Sequence, residues 1–322
     1  MRKKLALILA LAMCVFLLSG CGGDNAEVTQ PVETGPATTQ PSATPTSEPT
    51  PELTPELVPT EEPGGTFTYT YENGVLTISG TGVLDEDAMK ECGAYDVIQS
   101  GEELQVVLEE GVTKIGDYAF MSCDSLTGIV IPEGVTELGN LAFVFCRGLT
   151  SVTIPKGVTV IGEEAFLGCT SLASVTIPEG VTVIGREAFA NCNSLISVTI
   201  PGSVTELGIG AFASSGLTDA TVSGSGLVIG SNAFQYCYEL TSVVIRKGVA
   251  EIGEGAFAYC ENLTSVSIPE SVAEIGDYAF SGCDSLTDVY YGGSESQWKE
   301  ISIGGNNSAL TDATIHYNST GN

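Results

Sequence analysis

The stretch Ile161-Gly162-Glu163-Glu164-Ala165-Phe166-Leu167-Gly168-Cys169-Thr170-Ser171-Leu172-Ala173-Ser174-Val175-Thr176-Ile177-Pro178 decides the fold, because its key letters return along the chain. The phenylalanines after alanine fall at Phe120, Phe143, Phe166, Phe189, Phe212, Phe234, Phe257 and Phe280, every step being 23 residues except the 22 between Phe212 and Phe234. Such a period marks a stacked repeat. In the run from Leu149 to Pro155, Val152 and Ile154 alternate around Thr153, which is the period of a strand with one face inside. Pro155 ends that strand without needing a backbone donor, and Gly162 is expected to turn a corner at positive φ. Ala165 lets a short helical turn approach closely while Phe166 fills the layer. A turn of this size cannot bury its own apolar face, so the turns must stack, strand beside parallel strand about 4.8 Å apart. Eight marked turns with flanking half-turns predict a body roughly 40 Å long.

Working outward, the unit Ile-Gly-x-x-Ala-Phe-x-x-Cys-x-x-Leu-x-x-Val-x-Ile-Pro resembles the BspA-like, type 5 leucine-rich-repeat family of bacterial surface proteins, over about Glu103 to Tyr291. The resemblance implies an α/β repeat solenoid, a right-handed superhelix with a parallel β-sheet on its concave face. It also implies work in adhesion and host contact.

The ends of the chain divide it further. Arg2, Lys3 and Lys4 precede an apolar run from Leu5 to Leu18 and then Ser19-Gly20-Cys21, an export signal that resembles a lipobox. Residues 1–20 are therefore expected to be a lipoprotein signal peptide, with Cys21 the lipid attachment residue. The apolar run is shorter than the roughly 20 residues that span a bilayer. From Asp24 to Gly64 there are nine Pro, nine Thr and seven Glu. Residues 21–64 thus read as a lipid-anchored, disordered stalk, reaching on the order of 100 Å if extended as polyproline II. Residues 65–102 read as an N-terminal β cap, with Asn73-Gly74 as a hairpin turn. Residues 103–291 are the solenoid, and residues 292–322 a C-terminal cap that includes Trp298, Ile301, Ile303, Leu310, Ile315 and Tyr317. A solenoid needs such ends, since its last turns would otherwise expose a core and a strand edge.

Charge narrows the partners. The full chain carries a net charge of −29, and without residues 1–20 it has 8 Lys/Arg against 40 Asp/Glu, or −32. Nucleic acid binding needs basic patches, so no nucleic acid partner is expected. An anionic membrane would repel the domain, which leaves membrane attachment to the lipid alone. Seven cysteines share one repeat position: Cys123, Cys146, Cys169, Cys192, Cys237, Cys260 and Cys283. Parallel Cβ vectors would hold neighbours near 4.8 Å, beyond the roughly 3.5 to 4.5 Å a disulfide prefers, so buried free thiols are expected. A straight ladder does not converge on a tetrahedral zinc, and no metal or cofactor is expected. Cys92 stands outside the ladder. The turn after Phe212 is one residue short and lacks the cysteine.

His316 is the single histidine, with no nucleophile motif around it, so an enzyme is not expected. If Val152 and Ile154 face inward, Ser151 and Thr153 face outward on the concave sheet. The same offsets give Gly128 and Val130, Ser174 and Thr176, Ser197 and Thr199, Asp219 and Thr221, Ser242 and Val244, Ser265 and Ser267, and Asp288 and Tyr290. This shallow ladder of small hydroxyls, ringed by Glu133, Glu179 and Glu270, is the candidate ligand-binding face. The expected function is a cell-surface module binding an extracellular protein or glycoprotein, with a structural component of the cell envelope and a glycan-binding array as the alternatives. The chain is expected in the bacterial cell envelope, exported and facing outward.

Overall fold

A computed structural model describes residues 66–319. The signal peptide, the lipobox cysteine Cys21 and the stalk lie outside the described residues.

Each turn contributes two parallel strands where the sequence predicted one. The longer strands, such as Ser151–Thr153, Ser174–Thr176 and Ser197–Ile200, lie in a wide sheet, and the two-residue strands, such as Val160–Ile161 and Val183–Ile184, build a narrow one. The narrow sheet is continuous over ten strands, from Gly82–Leu84 to Ser302–Ile303. The fold is a parallel β-solenoid. Among the described residues, helix is confined to four short pieces near the ends, Glu86–Glu91, Ala94–Ile98, Glu295–Trp298 and Ser308–Asp312.

The expected helical turn at Ala-Phe is instead a run of tight turns with a left-handed residue on each side. Glu164 (φ 54°) and Gly168 (φ 71°) bracket Phe166, and the same two places in the Phe257 turn hold Gly255 and Tyr259, with φ of 62° and 61°. This conformation points alternate amides along the stack: Glu164 N–H donates to Arg186, Phe166 N–H to Ala188 and Gly168 N–H to Ala190, all in the next turn. Backbone hydrogen bonding along the stack replaces the helical ladder. The reading of Gly162 also changes. It is not left-handed; a Cβ there would lie 2.6 Å from the Gly139 carbonyl carbon, so glycine is needed for the close approach of the previous turn.

Inside, the eight phenylalanines form a single stack with centroids 5.0 to 5.4 Å apart. All are fully buried. Beside them runs the cysteine ladder. Each thiol from Cys146 onward donates to the carbonyl of the phenylalanine one turn back, for example Cys146 to Phe120 at 2.9 Å and Cys283 to Phe257 at 3.1 Å. All eight described cysteines are free thiols. Burial pushes up the thiols from Cys146 to Cys283, Cys237 to about 11 and Cys283 to about 12, so these six are poor nucleophiles at neutral pH. In the short turn, buried Ser215 takes the cysteine's place, its hydroxyl 3.3 Å from the Cys237 sulfur. The deletion falls after it: Gly216 lies so close to the Asn193 carbonyl that a Cβ would overlap it.

Both caps continue the coil. At the front, Phe67–Glu72 pairs antiparallel with Val75–Gly80 through the left-handed pair Asn73 and Gly74, the turn predicted from sequence. Val75–Gly80 already runs parallel to Leu104–Leu108 as a first wide strand. The two front helices then stand where later turns carry Ala-Phe. Cys92 ends the first of them, its thiol 3.4 Å from the Met89 carbonyl, packed against the core. At the back, Ser302–Ile303 and Thr314–Tyr317 add one more parallel strand to each sheet. Asn307 completes the end of the stack. Its Oδ1 accepts the Phe280 N–H at 2.9 Å, the bond an alanine carbonyl of a following turn makes elsewhere, and its Nδ2 donates to the carbonyls of Gly276 and Gly304.

Candidate binding surface

The outward side chains of the wide sheet are held by strand register. Ser151 aligns with Gly128 and Ser174, and Thr153 with Thr176. Further along, Ser197, Asp219, Ser242, Ser265, Asp288 and Thr314 form one row. Thr199, Thr221, Val244, Ser267, Tyr290 and His316 form the other. The inward partners Val152, Val198, Val243 and Val266 are buried, so the period-2 pattern does set the two faces.

Exposure along this face is not uniform. Ser151, Thr153, Ser174, Thr176, Ser197, Thr199 and Asp219 are exposed. Thr221, Ser242, Val244, Ser265, Asp288 and Tyr290 are half-buried. Ser267 departs from expectation: it is only 6% exposed, because it lies between the larger Val244 and Tyr290 in its row. At the far end the side chains engage one another. His316 Nε2 lies 2.7 Å from Asp288 Oδ1, the Thr287 hydroxyl donates to Asp288 Oδ2 at 2.8 Å, and the His316 ring stacks on Tyr290 with centroids 4.8 Å apart. The His316 and Thr287 hydrogen bonds hold the Asp288 carboxyl below its ordinary range. The histidine is thus bound into the end of the face.

The open part of the face carries two exposed apolar side chains, Val130 at 59% and Ile196 at 58%. Ile196 also marks a seam. The wide sheet consists of two six-stranded blocks, and pairing stops between Ser174–Thr176 and Ser197–Ile200, although these strands are neighbours. In five of the other repeat turns the residue before the wide strand is a threonine, Thr150, Thr218, Thr241, Thr264 or Thr287, whose hydroxyl donates to a carbonyl of the previous turn, as Thr150 does to Thr127 O at 3.1 Å and Thr241 to Thr218 O at 3.0 Å. At the seam these places hold Ala173 and Ile196. The narrow sheet carries the load there, because Thr182 bonds Thr159 O at 3.1 Å and Thr205 bonds Thr182 O at 3.2 Å.

Of the acidic residues expected around the face, Glu133, Glu179 and Glu270 are all exposed, and Glu270 is paired with Lys247 at 2.9 Å. Among the described residues no group of three or more His, Cys, Asp or Glu is placed to hold a metal, and no helix is long and apolar enough to cross a membrane.

The sequence profile described as the BspA type leucine rich repeat region, in six copies, matches residues 100–218 and 227–320. This chain belongs to the BspA-type leucine-rich-repeat family. The unmatched gap falls on the strand and loop after the short turn, where Val222-Ser223-Gly224-Ser225-Gly226 replaces the usual strand end. The chain is also similar to several solved structures. A leucine rich cell surface protein from Faecalibacterium prausnitzii is 26% identical, with 73% of this chain and 89% of that chain covered and a TM-score of 0.39. The leucine rich repeat protein of T. pallidum is 25% identical over 73% and 92% of the two chains, with a TM-score of 0.46. The pneumococcal vaccine antigen PcpA is 16% identical over 80% and 86%, with a TM-score of 0.41. No curated protein matches the chain.

The sequence reading passed over one group of residues on the opposite, turn-forming side. Tyr236, Tyr259 and Tyr278 occupy the left-handed places beside the phenylalanines. Aligning the turns on Phe shows them: Tyr118 and Phe145 are aromatic at these places in the first two turns, and three tyrosines fall together only in the last three.

Proposed function

We propose that this BspA-type protein is an exported surface module, held through a lipid on Cys21, that binds an extracellular protein or glycoprotein through the open part of its wide sheet. The supporting observation is the exposure pattern. Ser151, Thr153, Ser174, Thr176, Ser197 and Thr199 make a regular, uncharged, solvent-facing lattice on adjacent strands, with Val130 and Ile196 as apolar anchors at its margin. Small hydroxyls let a partner's backbone or sugar approach closely, and desolvated apolar anchors supply the binding energy such a shallow surface needs. The remaining residues of the ladder, from Thr221 to Tyr290, serve the far end of the fold more than a ligand. An extended repeat surface with this composition suits macromolecular binding better than turnover of a small substrate.

The test uses the mature chain with Cys21→Ser, which removes the lipid, against immobilised extracellular matrix proteins, glycans and bacterial wall material. The variant Thr153→Arg/Thr176→Arg/Thr199→Arg is run beside it. Saturable binding to a matrix protein that this variant loses is the expected result. Binding only to the producing cell's wall would replace the proposal with an envelope-structure role.

A further inference from the structure

The turn-forming side of the solenoid differs between its two halves. In the first half the residues after the phenylalanines are Met121, Val144, Leu167, Ala190 and Ala213, of which the last four form a small separate buried cluster with Met121, Leu141 and Phe145 packed against it. Phe145 lies flat on the next turn, where the absent side chain of Gly168 leaves room for its ring. In the second half the slots change. Ala258 and Gly255 form a low floor, with Tyr236 and Tyr259 on one side, Tyr278 on another and Glu254 at the rim, leaving an open depression of about 240 Å³. Tyr259 and Tyr278 are 43% and 46% exposed. Tyr236 and Tyr259 are stacked with centroids 5.1 Å apart, and Gly282 makes room for Tyr259 as Gly168 does for Phe145. Tyr236 and Tyr259 are thus held by packing on one another, and Tyr259 also by its contact with the Gly282 backbone.

Aromatic walls, a small floor and one carboxylate at the rim form an environment that attracts a cation, through the negative ring faces and through Coulomb attraction. No Lys or Arg lines the depression, and the chain as a whole is strongly acidic, with a net charge of −29. We propose that this cleft binds an arginine or lysine side chain of a basic protein partner. It is a second site, lined by turn residues and sharing none with the hydroxyl lattice, and it does not depend on that reading. A guanidinium fits it best, since its plane lies on a tyrosine ring while its N–H groups reach Glu254.

The probe is the decapeptide (Arg-Ser)5, titrated by NMR into the mature chain with Cys21→Ser at about 0.15 M salt, where long-range attraction is screened. The expected result is saturable binding, with the arginine δ-methylene protons shifted upfield by the tyrosine rings. Tyr259→Asn/Tyr278→Asn should weaken binding on the order of tenfold, from the loss of two cation–π contacts. Asparagine already occupies the equivalent left-handed places as Asn191 and Asn232, so the fold tolerates it; an unchanged thermal melt checks this. Glu254→Gln should weaken binding roughly threefold or more, and Glu133→Gln, which removes the same charge elsewhere, by less than about twofold. The sheet variant Thr153→Arg/Thr176→Arg/Thr199→Arg should keep the peptide, so the two sites fail separately. Absence of a ring-current shift, or equal weakening by Glu133→Gln, would overturn the proposal. So would tyrosine-dependent binding of maltotetraose in place of the peptide.

Discussion

Two stretches of the same sheet face, Ser151 to Thr199 and Ser242 to Tyr290, are built on the same turn and behave differently. Their cores match: Phe143, Phe166 and Phe189 in one and Phe234, Phe257 and Phe280 in the other are stacked and fully buried, with the same thiol-to-carbonyl bonds beside them. Their outer rows do not match. Serine and threonine leave the first stretch open, whereas Val244, Tyr290 and the Asp288–His316 pair cover the second. Since the buried layers are equivalent, the coil itself does not require the difference, although at the far end the Asp288, Tyr290 and His316 contacts hold the last strand. The difference teaches that the repeat specifies the coil through its inward letters and leaves the outward letters free to vary.

The largest effect tests whether the cores are equal. Phe166→Ala and Phe257→Ala should each cost about 3–5 kcal/mol, and the two losses, read from denaturant melts, should agree within about 0.5 kcal/mol. A clear inequality would break the comparison at its base. Asn307→Ala should cost about 1–3 kcal/mol, because the buried Phe280 N–H loses its acceptor. The loss should appear first as faster amide exchange in the second stretch, leaving the first unchanged.

A smaller effect sharpens the role of the seam. Ile196→Thr places a hydroxyl where Thr150, Thr218, Thr241, Thr264 and Thr287 have one, and should raise stability by about 0.5–1.5 kcal/mol with slower exchange across Ala173 and residue 196. The smallest concerns acid. Asp288 is lowered first by the His316 hydrogen bond and then by that of Thr287, so its contribution is present above the ordinary aspartate value of about 4 and is lost as pH falls through its own lower value. The stability difference between the wild-type chain and Asp288→Asn should therefore be full at neutral pH and vanish in strong acid. Val244→Asn, which lacks such a partner, should show no such pH dependence.

Much of this was legible in the letters because the period is long and strict. Phe166 and its seven counterparts located the eight repeat turns though not the two cap turns, Val152 with Ile154 set the inward face, and Asn73-Gly74 marked the hairpin. The narrow sheet was not legible: Val160–Ile161 is two residues long, too short for a period of two to show. Gly162 was read by its conformational freedom, while the packed stack uses its lack of a side chain. The left-handed pair around each phenylalanine left no signature, since Glu164, Asn191, Tyr259 and Gly168 all serve there. Ser267 was placed outward correctly by period, but its burial depends on Val244 and Tyr290 in neighbouring turns. Asn307 replaces a backbone group, which no motif announces. Of the candidate face, register was legible and access was not.

The most direct test of the account sets the two stretches against each other in one binding assay. The variant Thr153→Arg/Thr176→Arg/Thr199→Arg is compared with Thr221→Arg/Ser242→Arg/Ser265→Arg, using whichever extracellular protein the mature chain binds saturably. The account predicts that the first variant loses that binding while the second keeps it within about threefold, less than 1 kcal/mol. Loss by the second alone, or by neither, would contradict the assignment of the open hydroxyl lattice as the binding surface.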